Sequence, residues 1–397
     1  MLFFCYICGS DKTIITMNKF FTILALLIST FMSAQQMDIK YGPWVTNVTE
    51  DSFTVLWTTP CKALSWVEVS LDNGSTWYQN NHDSYYETVA GRRMYGTFHS
   101  VTVTGLKPAT KYQYRVVGKA VTDDSNAYAI AYGSEKAFSR YKVKTLDYNA
   151  PVCRFSMVND MHFDVKKYAE LMDGMDKDNT DFIVLNGDII SFSNARDTLI
   201  KYTFEPIEKY AASYPVIFVR GNHEGRGAEW YLTGDVFPTN TGEFYYSFRQ
   251  GPVAFIVLDA GEDKPDNDPE YSGQGAYDEY RAQELEWLKK AVKDPEFANA
   301  PQKVVLMHIP TFDGHDAWYS QHWIAENFTP VLNEAGVKLM LSGHHHKYII
   351  SNPGEFGNEY TIIANSNTER LDFEATSKSI SLKFFDRNGN QTRTLTF

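Results

Sequence analysis

The sequence predicts a β-sandwich followed by an α/β domain, on three observations. From Tyr41 to Thr145 short runs alternate apolar and polar residues between turns, the period-two pattern of strands with one buried face. After Pro151 continuous apolar runs of strand length alternate with helical patterns, as in layered α/β structures. Five of those later runs end in Asp, Asn or His, and open α/β sheets bind ligands where their strands end.

A chain of 397 residues with 43% apolar composition has room for two domains. Residues 1–34 are expected to stand outside both. Asn18-Lys19 is a short basic start, Phe20 to Met32 is almost wholly apolar, and Met32-Ser33-Ala34 is a small-residue cleavage site. That is the layout of a secretory signal peptide, with Met17 a candidate start, and it predicts export to the periplasm, cell surface or medium. No other run is long enough to span a membrane. Beyond the leader only Cys61 and Cys153 remain, which gives no disulfide framework.

In the first domain, placed at 37–147, the strand candidates include Phe53–Trp57, Ser65–Val69 and His99–Val103, with a turn at Asp72-Asn73-Gly74. The stretch from Gly105 to Val116 resembles a fibronectin type III corner, in which Leu106 and Tyr112 would pack under a tight turn. Trp44, Trp57 and Trp66 read as core, and His82 and His99 as ordinary histidines. The second domain, 151–397, ends in a hairpin. Ile380–Phe385 and Thr392–Phe397 flank Arg387-Asn388-Gly389-Asn390, whose Asn-Gly supplies positive φ. Arg281 to Lys293 is a helix with Leu285, Leu288 and Val292 on one stripe. Residues 151–397 hold 23 basic and 37 acidic side chains, a balance of −14. Such a surface disfavours duplex nucleic acid, and phosphate chemistry there would need local cations.

The chemistry lies at the strand ends. Phe155–Asn159 leads to Asp160-Met161-His162, and Phe182–Leu185 to Asn186-Gly187-Asp188. Val216–Arg220 leads to Gly221-Asn222-His223-Glu224, Val304–Met307 to His308, and Val337–Ser342 to Gly343-His344-His345-His346. Neutral imidazole is a common metal ligand. On an extended backbone His344 and His346 would face one site and His345 the other side.

This order of Asp-x-His, Gly-Asp, Gly-Asn-His-Glu, Val-x-x-His and Gly-His-x-His resembles the calcineurin-like metallophosphoesterases over about 151–370. With a fibronectin-like domain in front, the layout is most similar to purple acid phosphatases. The resemblance implies a domain of two packed β-sheets flanked by helices. It also implies two metal ions, with Asp160, His162 and His346 on one, Asn222, His308 and His344 on the other, and Asp188 bridging. Imidazole and carboxylate donors favour zinc, manganese or iron. Purple enzymes have Asp-x-Gly first and a tyrosine three residues after the Gly-Asp aspartate. Here those positions are His162 and Ser191, so a colourless enzyme is expected, with His162 in the vacant ligand place.

The implied reaction is hydrolysis of phosphate monoesters by a metal-bound hydroxide, on a small phosphorylated substrate, with His223 as acid to the leaving alkoxide. A metal or supporting role is the other reading of His223. Asn222 would also touch substrate. His315 or His322 could contact the phosphate, or be plain loop histidines. Glu224 reads as an orienting hydrogen-bond partner and His345 as structural. The acidic loop Asp259–Asp278 reads as a solvated lid, or less readily as a calcium site through Asp263, Asp266 and Asp268. The alternatives to a monoesterase are a phosphodiesterase on nucleotides or lipid head groups, and a binding module with a relict metal domain.

Overall fold

A computed structural model describes residues 37–74, 77 and 83–397. The predicted leader over 1–34 and His82 lie outside the described residues. The N-terminal half contains β1 (Tyr41–Thr46), β2 (Phe53–Leu71), β3 (Tyr95–Val103), β4 (Lys111–Asp123) and β5 (Ala131–Lys144). Two of the predicted strands are in fact one: β2 runs for 19 residues. Its first part pairs with β1 and β3, its second with β4, and the register breaks between Thr58 and Ala63. Pro60 falls in that break, where a missing N–H does least harm. One bent strand thus joins the two layers of the sandwich. The Tyr112 hydroxyl accepts from the Lys107 backbone N–H at 2.9 Å, which ties the turn to the strand that follows it. Trp44 and Trp57 are fully buried, and Trp57 stacks on His99 at 5.1 Å.

The C-terminal half alternates strands and helices: β6 (Val152–Val158), α1 (Val165–Asp173), β7 (Phe182–Asn186), α2 (Arg196–Phe204), β8 (Val216–Val219), β9 (Tyr246–Gln250), β10 (Val253–Leu258), α3 (Tyr277–Ala291), β11 (Gln302–Met307), α4 (Tyr319–Glu334), β12 (Leu339–Ser342), β13 (Ile349–Ser351), β14 (Thr361–Ala364) and β15 (Arg370–Thr376). The expected hairpin closes it as β16 (Ile380–Phe385) and β17 (Gln391–Thr396). One sheet runs β17-β16-β15-β6-β7-β8, the other β9-β10-β11-β12-β14-β13. The central strands are parallel and buried on both faces, so they read as unbroken apolar runs. Between the sheets Phe155 stacks on Phe373 and Phe182 at 4.4 and 5.2 Å, and Phe248 on Phe255 at 4.7 Å. Full burial of each such ring contributes roughly 1.5–3 kcal/mol. Helices α1 and α2 cover the outer face of the first sheet, and α3 and α4 that of the second.

The two halves are continuous. Thr46 of β1 pairs in parallel with Val216 of β8, and its hydroxyl donates to the Val216 carbonyl at 2.8 Å. Trp44 stacks on Phe204 of α2 at 4.3 Å, and the Tyr114 hydroxyl donates to the Ala212 carbonyl at 2.7 Å. Cys61 and Cys153 are buried free thiols. No helix among the described residues is long and apolar enough to cross a membrane.

Two expectations need correction. The helix predicted from Arg281 begins at Tyr277, and its buried face carries Arg281 and Glu284 as well as Leu288. The loop after β10 is not simply a solvated lid, because Asp259, Glu262 and Asp263 are buried. Arg220 binds Asp259 at 2.6 Å, Arg226 binds Glu262 at 2.7 Å, and Arg281 donates to the Ala260 carbonyl at 2.8 Å. Charge pairing across the fold lets those carboxylates leave water. Asp266 and Asp268 instead accept local backbone N–H groups. Asp263, Asp266 and Asp268 form no ligand cluster among the described residues.

Candidate metal centre

The loops after the strands are held edge to edge by backbone bonds that prolong the sheets. Asp160, His162 and Phe163 donate N–H to the carbonyls of Gly187, Asp188 and Ile189, and Gly343 donates to His308. Close approach requires glycine at two points. A β-carbon on Gly187 would lie 2.3 Å from His308 Nδ1, and one on Gly221 only 2.2 Å from Asp188 Oδ1. The predicted ligands themselves take left-handed backbone, with φ of 56° at Asp160, 47° at His162, 54° at Asp188, 68° at His344 and 58° at His346. Such conformations cost roughly 1–3 kcal/mol each, and packing must hold them. His344 and His346 therefore share a site because of turns, not because the backbone is extended there.

Seven predicted donors converge. His308 Nε2 lies 3.2 Å from Asp188 Oδ2 and 3.8 Å from Asp160 Oδ1. His346 Nε2 is 3.2 Å from Asp160 Oδ1 and 3.1 Å from His162 Nε2. His162 Nε2 is 3.8 Å from Asp188 Oδ2, and His344 Nδ1 is 3.2 Å from Asn222 Oδ1. Donor atoms of Asp160, His162 and His346 lie within 4.8 Å of one another, as do those of Asp188, His308 and His344. Asp188 stands between the two groups. Asp160 Oδ1 and His308 Nε2 are buried without a hydrogen-bond partner. Orphaned atoms of this kind, aimed into one pocket, fit a cation, and oxygen with nitrogen donors suits a transition metal.

Without an ion, protons take part of its place. Burial works against a charged His308, but Asp188 and Asp160 outweigh it and raise the imidazole to about 10. Burial likewise opposes ionised Asp160 and Asp188, yet His308 helps hold both below the usual carboxylate range. Burial pushes His162 down to about 4 and His344 down to about 3, leaving lone pairs available to a metal.

The residues around the donors bind neighbouring backbone and side chains. Glu224 Oε2 accepts the backbone N–H groups of Asp188 and Gly221 at 2.8 and 2.9 Å, and Oε1 that of Ile189 at 2.8 Å. It thereby fixes the Asp188 and Asn222 loops together. His345 turns away to Gln321 Nε2 at 3.2 Å and to the Phe312 ring. His223 sends Nδ1 to the Ser191 carbonyl at 3.0 Å and holds Nε2 3.9 Å from Asp188 Oδ2. His162, Asp188 and His223 also meet the 4.8 Å ligand spacing. The Ser191 hydroxyl lies 3.4 Å from His162 Nδ1.

His315 and His322 do not join these clusters. His315 is 97% exposed beside Asp316, and His322 pairs with Asp313 at 2.6 Å. Their segment instead brings Trp318 to 6.2 Å from the His344 ring. Sequence reasoning missed Trp318, and it missed Arg226, whose Nη1 donates to His223 Nε2 at 3.1 Å. Arg226 lies three residues after His223, and that spacing next to a metal motif was the available signal.

Comparison with known proteins agrees with this geometry. Residues 153–348 match the calcineurin-like phosphoesterase family, and residues 43–145 match the purple acid phosphatase N-terminal domain. Over 297 residues the chain is 25% identical to purple acid phosphatase 15 of Arabidopsis thaliana, covering 65% of this chain and 50% of that one. Over 174 residues it is 29% identical to serine/threonine-protein phosphatase CPPED1 of Danio rerio, covering 42% and 54%. The chain thus spans about half the length of these curated relatives. The structure of purple acid phosphatase PPD1 from yellow lupin (Lupinus luteus) seeds superposes with a TM-score of 0.65 at 14% identity, covering 89% of this chain and 73% of that one. That last likeness is one of fold.

Proposed function

We propose that this chain, a homologue of the purple acid phosphatases with a calcineurin-like metallophosphoesterase domain, hydrolyses phosphate monoesters at a binuclear metal centre. The observation that carries the reading is Asp188, set between a buried group with His308 and His344 and a more open group with Asp160, His162 and His346. Asp160, His162 and His346 would hold one ion and Asn222, His308 and His344 the other, shared through Asp188. Zinc, manganese and iron suit these donors. Such ions supply Lewis acidity and an activated water at phosphorus. His223 orients through Ser191 and Asp188 so that Nε2 can meet the leaving oxygen.

Relatives whose names say phosphatase support monoesters over diesters, and the acidic surface favours small substrates. Ser191 in place of a tyrosine supports a colourless enzyme. The working units are 37–147 and 151–397, with 1–34 a leader for export. The test is turnover of para-nitrophenyl phosphate against its bis-ester after manganese, zinc or iron reconstitution, with metal counted. Two equivalents and a monoester preference are expected. A strong diester preference would replace the monoester reading, and less than one equivalent without turnover would leave only a binding module. His223→Ala should keep both ions and lose roughly 10²–10⁴-fold in turnover, the usual loss on removing an acid. If His223→Ala strips an ion, it is a ligand instead.

A further inference from the structure

Arg226 has no part in the reading above, yet its guanidinium reaches His223 Nε2 at 3.1 Å. We propose that Arg226 holds a terminal oxygen of the substrate phosphate and so favours monoesters over diesters; this rests on the phosphoesterase reading. Two of its three donor groups are committed. Nε and Nη2 each bind Glu262 at 2.7 Å in a fork, and the Glu262 side chain is only 2% exposed. The backbone under Glu262 is pinned in turn, because Arg281 donates to the Ala260 and Glu262 carbonyls at 2.8 and 3.3 Å. Arg226 is also pinned by its own backbone, whose carbonyl accepts from Ser193 at 2.7 Å. A guanidinium fixed this way meets an anion with little loss of side-chain freedom.

The remaining donor, Nη1, points at His223 Nε2. The Nδ1–H of His223 faces the Ser191 carbonyl, so Nε2 is the lone-pair nitrogen and accepts from Arg226. While it accepts, it cannot give a proton to a leaving oxygen. An anionic phosphate oxygen is the stronger acceptor, since it carries charge opposite to the guanidinium and the neutral imidazole carries none. Substrate therefore draws Nη1 away and frees the Nε2 lone pair to take up a proton from solvent and pass it to the leaving oxygen. A monoester has three terminal oxygens and a diester two, so a third fixed cation beside two metal ions discriminates for the monoester. A cavity of about 800 Å³ opens alongside Arg226 between Trp230, Tyr271 and Tyr277, with room for the alcohol part of the ester.

The experiment uses the metal-loaded full chain and its Arg226→Ala, Arg226→Lys and Glu262→Gln variants. It measures kcat/KM for para-nitrophenyl phosphate and its bis-ester, inorganic phosphate affinity by calorimetry, and metal content. Arg226→Ala should lower the monoester value roughly 10–100-fold and weaken phosphate binding similarly, the scale of a charged hydrogen bond. Diester turnover should change less than about threefold, below a typical net hydrogen bond, because the two terminal oxygens of the diester anion face the two metal ions and leave none for Arg226; metal content should not change. Arg226→Lys keeps charge without the fork and should recover only part. Equal losses on both esters with unchanged phosphate affinity would overturn the proposal and leave Arg226 as a positioning residue for His223. If Arg226→Ala misfolds, Glu262→Gln carries the same test, with a smaller loss of phosphate affinity expected. A wild-type protein inactive on both esters would sink the earlier reading, while phosphate affinity would still report on Arg226.

Discussion

On one side of Asp188, His308 is 1% exposed, and its Nδ1 donates to the Asn186 carbonyl at 2.7 Å, which aims Nε2 at the Asp188 carboxylate. On the other side His346 is 49% exposed, and its Nε2 faces His162 Nε2 at 3.1 Å. The buried side is finished before any ion arrives, because a backbone carbonyl fixes its tautomer and ring. The open side sets two imidazole nitrogens face to face, an arrangement relieved by a proton or an ion between them. The difference teaches that rigidity and access are separated in this pocket: the first side belongs to the core, and the second is open to solvent.

Changes at Asp188 should abolish that difference. Asp188→Asn removes charge from both groups at once. Turnover is expected to fall on the order of 10³-fold or more, the scale of losing a charge-stabilising group at a reacting centre. Metal analysis should find both equivalents weakened, and retention of either at full affinity would show that Asp188 does not bridge.

Comparing His308→Ala with His346→Ala sharpens the contrast. In metal-free protein His308→Ala leaves Asp188 and Asp160 buried and facing without a cation, so urea melts should show a loss of roughly 3–5 kcal/mol. His346→Ala removes a half-exposed ion pair and should cost about 1 kcal/mol or less. Equal losses would erase the distinction between the sides.

A further expected effect is on pH. His308 is raised from 6.5 to about 10, so its stabilising contribution is complete below about pH 6.5 and is lost as pH rises through about 10. Metal-free protein should therefore weaken between neutral and alkaline pH, and His308→Ala should flatten that slope. Loading manganese or zinc should flatten it too and release protons, measurable by calorimetry in buffers of different ionisation enthalpy.

The ligands were legible because their strands are buried on both faces. Val184, Val219 and Leu306 belong to unbroken apolar runs, so the polar residue that ends each run marks a strand end without any structure. The metal side of His344 and His346 was also readable, but for another reason than the one visible in sequence. Their left-handed turns depend on Gly343 packing against Asp160, a contact across 183 positions that no local pattern records. The fork between Arg226 and Glu262 was hidden in the same way. Glu262 sits among acidic residues that read as solvated, and only its distant partner explains its burial. The bend in β2 was hidden because Phe53–Trp57 and Ser65–Val69 read as separate strands, with Pro60 lying between them.

The pairing of Thr46 with Val216 reaches beyond the site. Without β1 beside it, the apolar run Val216–Val219 would border its sheet with unsatisfied amides and carbonyls, a template for recruiting strands from other copies of the chain. The N-terminal half thus covers the start of that edge, and a shortened form lacking it would lay the edge open at Val216.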